Sequence, residues 1–473
     1  MEKALTGSRG ARRRKLAGPL VAGIAALLCA GTVAACGGSD DDGAAAGGTT
    51  APGAIPALSD EPVTLTFLWF EWPPAQALED FANSEYKKLR PNVTVKVNTV
   101  PIANWHDAIF TQFAARKTDF DIPVLDSQYI GEAVTNGNIL DLTDFANENI
   151  EKDAYDPYLL AAYGQYPQGQ TGELDPDGRL YGLPLLGDTW AMMWRKDLMG
   201  EEPPATWEDM IAAAQKCQDE NPGMSGMAFH QSKDSDAAAV TYNTVNGVYG
   251  GELWDPEERQ IEGIVNDDAG QKAMDVLVNR MRPLTPQGSG NWFIDEVNAA
   301  MAQGKVCVAF NWVATLGGQL DPEQSTLGKT PEEIQEKLGF AALPEQDTDY
   351  VPLGGMGMHI SKYSPEANQN EALNFIKWFE QADVQRKWAA AGGVPSRKDA
   401  LSSPEFLEGP PWNQVYADSV PRLRDFWNLP EYAKLLEVQS TNVNAALNGT
   451  KDPAQALDDI ASEQQAILDE SAE

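Results

Sequence analysis

"EPVTLTFLWFEWPPAQALEDFANSEYKKLRPNVTVKVNTV", residues Glu61 to Val100, decides the fold class. Val63, Leu65, Phe67 and Trp69 alternate with Thr64, Thr66 and Leu68, the period of two expected of a strand. After Pro73-Pro74, Leu78, Phe81, Glu85 and Leu89 recur at helical spacing, and Pro91 closes that helix. Val93, Val95 and Val97 then alternate again. A strand, a helix and a second strand in this order form a crossover, which implies parallel pairing and an α/β class.

Reading towards the C-terminus, Trp105 to Arg116 has helical character and "FDIPVLDS" (Phe120–Ser127) supplies a third strand, extending the parallel pattern. "PATWEDMIAAAQKC" begins with Thr206 and Asp209 at the spacing of a capping box. "NWFIDEVNAAMAQGKVCVAFNW" reads as a helix, a stop at Gly304 and a buried strand from Val306 to Phe310. "NEALNFIKWFEQADVQRKWAA" is amphipathic through Leu373, Ile376 and Phe379, and "EYAKLLEVQSTNVNAALNGT" and "DPAQALDDIASEQQAILDE" supply late helices. No internal repeat and no second long apolar segment interrupts this body.

Reading back from Glu61, the chain changes character. Residues 37–59 are rich in Gly, Ala, Ser, Thr, Asp and Pro, with little apolar surface to offset ordering entropy. Such a composition behaves as a flexible linker. Further back, Arg9, Arg12, Arg13, Arg14 and Lys15 precede the apolar stretch Leu16 to Cys29. That is the layout of a secretion signal, too short for a stop-transfer helix. Val33-Ala34-Ala35-Cys36 resembles the lipobox of bacterial lipoproteins, in which cleavage precedes the cysteine and its sulfur takes a diacylglycerol. The expected organisation is therefore a signal peptide over 1–35 and a tether over 36–60 anchored through a lipidated Cys36. Acyl chains (palmitate) at that residue hold the body at the outer face of the cytoplasmic membrane.

Charge and composition exclude several classes. The chain has 35 Lys and Arg against 70 Asp and Glu, a net charge of −35. A body so acidic repels nucleic acid and anionic headgroups, so no nucleic acid is expected as partner, and no membrane contact beyond the anchor. His106, His230 and His359 are scattered without metal-ligand spacing, and each reads as a surface or core residue. No Gly-x-Ser-x-Gly elbow occurs. "LGKT" (Leu327–Thr330) has Glu323 where a phosphate loop needs glycine, and "DPDGRLYG" lacks an acidic position of a calcium loop. No cofactor or metal is expected. Past Cys36, only Cys217 and Cys307 remain; outside the cell they could pair, though spacing leaves their distance open.

Nine segments in order carry a resemblance over residue 62 to the C-terminus: "VTLTFLWFEW", "FDIPVLDSQYI", "GNILDLTDF", "DGRLYGLPLLGDTWAMMWRKDLM", "PPATWEDM", "AAMAQGKVCVAFNW", "PLGGMGMHISKYSP", "ALNFIKWFEQADVQRKWAAAGGVPSRKDAL" and "RDFWNLPEYAKLL". The chain resembles the extracellular solute-binding proteins of bacterial ABC importers, the sugar-type family 1 in particular. The resemblance implies a two-lobed periplasmic-binding-protein-like (type II) α/β fold with discontinuous lobes joined by hinge strands. Lobe 1 is expected over 61–187 and 313–393, and lobe 2 over 188–312 and 394–473. Crossings are then near Leu185–Trp190, Phe310–Ala314 and Gly392–Ser396. It also implies a monomer without enzymatic activity, which binds a small solute between the lobes and delivers it to ABC permease subunits.

A saccharide site requires an aromatic platform for the C–H face and polar groups for the hydroxyl rim. Trp69 and Trp72 stand at the carboxyl end of the first strand, where open α/β sheets bind ligands. Asp126 and Gln128 follow the third strand, and either suits a hydroxyl or a helix cap. The resemblance adds Asp188 and Trp190 at the first crossing, Trp312 as the stacking aromatic, and Tyr242, Arg424 and Trp427 from the second lobe. Gly354, Gly355, Met356 and Gly357 have little bulk, which permits close approach to the backbone or a bend in the strand. Few Lys or Arg stand in these loops, which favours a neutral saccharide or polyol over a phosphate-bearing solute. The alternatives are a polyamine in the same fold, a secreted carbohydrate-active enzyme with paired carboxylates, and a purely structural surface lipoprotein.

Overall fold

Eleven strands are formed among the residues that the computed structural model describes, 53–168 and 174–472. They are β1 (Val63–Phe70), β2 (Val93–Val100), β3 (Ile122–Asp126), β4 (Gln165–Tyr166), β5 (Arg179–Leu180), β6 (Gly182–Arg195), β7 (Ser225–Ala228), β8 (Val306–Trp312), β9 (Leu338–Ala342), β10 (Val351–His359) and β11 (Leu423–Arg424). The expected signal peptide, Cys36 and the tether as far as residue 52 lie outside the described residues.

The opening stretch folds as its periodicity demands. β1 pairs in parallel with β2 on one side and β3 on the other. Helix Pro73–Leu89 returns over it, burying Leu78, Phe81, Ala82 and Tyr86, and ends at Arg90, whose N–H donates to the Tyr86 carbonyl. The parallel pattern does not continue. β10 lies antiparallel to both β3 and β6, and the path β2-β1-β3-β10-β6-β8-β7 is mixed. Strand periodicity reports which residues face inward, whereas direction depends on partners far away in the chain.

β6 is the pivot of the architecture. Its first half, Gly182 to Thr189, pairs with β10. Its second half pairs with β8 on one edge (Trp190 to Trp194) and with β9 on the other (Ala191 to Arg195). One strand thus joins the two halves of the nine-stranded sheet, and the change of partners falls at Asp188–Trp190. The two other segments expected to cross meet it there. The Gly187 N–H donates to the Val394 carbonyl at 3.0 Å, and the Ala314 N–H donates to Asp188 Oδ1 at 3.2 Å.

Beyond β6, helix Trp207–Glu220 starts at the anticipated cap, where the Asp209 N–H donates to Thr206 Oγ1 at 3.0 Å. A disulfide joins its Cys217 to Cys307 of β8. Helix Ile294–Ala302 ends before Gly304, which takes φ +65°. The amphipathic run forms two helices, Glu366–Phe379 and Ala382–Ala390. His230 and His359 are fully buried, His230 bonded to Asn311 Oδ1 at 3.0 Å, and burial pushes both imidazoles down to about 3.

One correction concerns the tether, expected to be flexible as far as residue 60. From Gly53 it runs along the folded body: Asn149 donates to the Gly53 carbonyl, and Arg90 and Asn92 donate to that of Ser59. Ile55 supplies the apolar contact that a pure Gly/Ala/Asp linker lacks. Among the described residues no helix is long and apolar enough to cross a membrane.

Candidate functional site

A cavity lies where the carboxyl ends of β1, β3 and β8 converge on β6 and β10. One wall comes from the early part of the chain: Phe70 ends β1, Trp72 follows it, Trp105 starts helix Trp105–Ala114, Asp126 ends β3, and Gln128 and Tyr129 follow it. Ser235 and Asp236, at the start of helix Ala237–Val248, form the other side with Phe293, Trp312 and Tyr432. Asp188 and Leu353 to Met356 close the base.

Aromatic rings run along the wall without a gap. Trp72 lies 4.5 Å from Phe70, Phe70 5.0 Å from Trp105, Trp105 5.2 Å from Tyr129, and Tyr129 5.9 Å from Tyr432, centroid to centroid. The indole N–H groups of Trp72 and Trp105 have no hydrogen-bond partner among the described residues, although Trp105 is only 2 % exposed. Trp312 stands apart from this belt, backed edge-on by Trp190 at 5.6 Å. Gly354 makes room for it, since a Cβ there would sit 2.5 Å from Trp312 Cζ3. Gly355 has φ +98°, a conformation that favours glycine.

The polar groups are acidic. Burial pushes the Asp188 carboxyl up to about 8, against the pull of the Ala314, Thr189 and Val313 N–H groups. Burial raises Asp236 to about 6. Asp126 is held well above the usual carboxylate range, by burial first and then by the charges of Asp425 and Asp236. Gln128 reaches across to Asp425, its Nε2 donating to Oδ1 at 2.7 Å.

Of the residues expected in the site, the fold brings together Trp72, Asp126, Gln128, Asp188, Trp312, Gly355 and Met356. Five others stand elsewhere. Trp69 is fully buried on the opposite face of β1, because successive side chains alternate and Phe70 takes the cavity side. Trp190 is buried as the backing of Trp312. Tyr242 is a core residue whose hydroxyl donates to the Val265 carbonyl at 3.0 Å. Arg424 is exposed on β11 and donates to its neighbour's carbonyl. Trp427 is buried behind Tyr432, 6.3 Å away. The residues missed include Phe70, Trp105, Tyr129, Asp236, Phe293 and Tyr432. Several stand at the first residue of a helix or just before it, a signal that marks a terminus without saying what the terminus faces.

Comparison with known proteins follows the same lines. The family model for "Bacterial extracellular solute-binding protein" matches residues 71–386. The "Probable amino-acid ABC transporter periplasmic-binding protein y4oP" of Sinorhizobium fredii is 25 % identical over 67 % of this chain and 68 % of its own length. Among solved structures, the maltose-bound MalE3 of T. maritima aligns with TM-score 0.74 and 21 % identity, over 86 % of this chain and all of its own (100 %). An ABC transporter solute-binding protein from Agrobacterium radiobacter K84, in complex with ribitol, also gives TM-score 0.74, at 22 % identity, over 86 % of this chain and 99 % of its own. A shared two-lobed fold, a cavity at the meeting point of its crossing strands and a family match over most of the chain lead to one assignment. The chain belongs to the bacterial extracellular solute-binding protein family, the substrate-binding components of ABC transporters, which are receptors and not enzymes.

Proposed function

We propose that this receptor binds a small saccharide or polyol. The observation that carries the reading is the continuous aromatic belt that lines the cavity together with Trp312, with unpartnered indole donors and carboxyl acceptors among the lining residues. Aromatic faces suit the C–H surface of a sugar, and donors together with acceptors suit its hydroxyls. The maltose and ribitol held by structural neighbours are consistent with that chemistry.

The lobes are those of the sequence reading, 61–187 with 313–393, and 188–312 with 394–473. Ligand contacts made to both favour the closed state by their difference in affinity between the two states. The monomer hangs from Cys36 and presents its closed form to the permease. A thermal-shift screen of the purified chain against monosaccharides, disaccharides and linear polyols tests the reading. A true ligand at a hundredfold its Kd adds about 2.7 kcal/mol. A panel that responds only to amino acids or peptides would remove the saccharide and polyol assignment and leave the fold and family untouched.

A further inference from the structure

The residues forming the cavity wall include Asp126, Asp188 and Asp236, and among the described residues that wall has no Lys, Arg or His. Asp188 is already engaged, since its Oδ1 accepts from the N–H groups of Thr189 and Ala314 at 2.9 and 3.2 Å. Asp126 and Asp236 take weaker contacts from their neighbours in sequence: Asp126 accepts from the Ser127 hydroxyl at 3.3 Å and Asp236 from that of Ser235 at 3.4 Å. They come from elements far apart in sequence, one at the end of β3 and the other at the start of helix Ala237–Val248, and both line the same cavity. Two ionised carboxylates in one poorly hydrated cavity repel each other, at a cost unless a proton or a cation joins them. A neutral polyol supplies donors but no charge. A protonated amine supplies both, and the neighbouring faces of Tyr129, Tyr432 and Trp105 attract a cation through their quadrupoles.

We propose that the solute is an amine-bearing saccharide or polyol, with its ammonium group between Asp126 and Asp236 and its hydroxylated body against the aromatic belt. This rests on the saccharide-or-polyol reading above and narrows it. The unpartnered indole N–H of Trp105, in a side chain only 2 % exposed, argues for hydroxyl or ring oxygens in addition to the amine. A plain polyamine has no acceptor to offer it.

Isothermal titration of the full chain at pH 7 with matched pairs tests this: sorbitol against 1-amino-1-deoxysorbitol, and glucose against glucosamine, with putrescine and spermidine alongside. The amine member of at least one pair is expected to bind tenfold or more tighter, on the order of a hydrogen bond to a charged group. Asp126→Asn and Asp236→Asn, near-isosteric and checked for folding by circular dichroism, are each expected to cut that preference at least about threefold. Asp236→Glu should retain it. A neutral parent that binds as tightly as its amine overturns the inference while the saccharide-or-polyol reading stands. Tight binding of putrescine or spermidine with no response to either pair overturns that reading, and the inference with it. An amine preference that survives both Asn variants overturns the placement between these carboxylates.

Discussion

Trp312 holds its position through its neighbours. Trp190 backs it, and the missing side chain of Gly354 leaves room for its ring. With 8 % of its surface exposed, it belongs as much to the core as to the cavity. Trp312→Ala is therefore expected to cost about 3 kcal/mol of stability, a few degrees in Tm for a chain of this size. Ligand affinity should fall by ~30-fold or more, as for a buried aromatic anchor. Equal calorimetric affinity in both proteins would take Trp312 out of the site. Asp188 makes a different prediction. Its folded-state carboxyl, pushed up to about 8, binds a proton that the unfolded chain releases near pH 4, so stability falls as pH rises through that window. Asp188→Asn keeps an acceptor for the backbone N–H groups and loses the charge. It should flatten the slope between pH 4 and 8 and melt higher than the parent at pH 8. At this scale the sequence is half legible. Residue type and strand ends point to the cavity region, and Trp72 and Asp126 follow, while Trp312 comes from the family resemblance. Which of two adjacent aromatics turns inward is decided by register, and so Phe70 stands where Trp69 was expected.

Local signals carry most of the element-scale reading. The Thr206–Asp209 cap, the Gly304 stop and the alternation in β1 and β2 act over a few residues, and each element forms where they place it. Pairing is not local: β10 meets β3 and β6 across long stretches of chain, and nothing in its own residues reveals the antiparallel direction. The disulfide is likewise a product of tertiary placement, bringing helix Trp207–Glu220 against β8 across a sequence separation of 90. In the loop-entropy account a closure of that length contributes roughly 4 kcal/mol. Replacing both Cys217 and Cys307 by alanine should lower the denaturant midpoint accordingly and leave ligand affinity unchanged, because both sulfurs stand away from the cavity wall. A double variant as stable as the parent would show that the link does not matter for folding.

At the scale of the whole molecule, the anchor and the body are separate proposals. Cys36→Ser should release the protein into the medium with its binding intact, and retention in the membrane fraction would rule the anchor out. Because Gly53 to Asp60 are held against the body, the proposed leash is shorter than composition suggests. β6 has a consequence of another kind. A break in the gene within that strand would strip partners from both halves of the sheet at once, leaving bare backbone edges on either fragment. Such halves should be recovered as aggregates, so a split reporter made from this receptor has to be divided elsewhere, in a surface turn that no sheet shares.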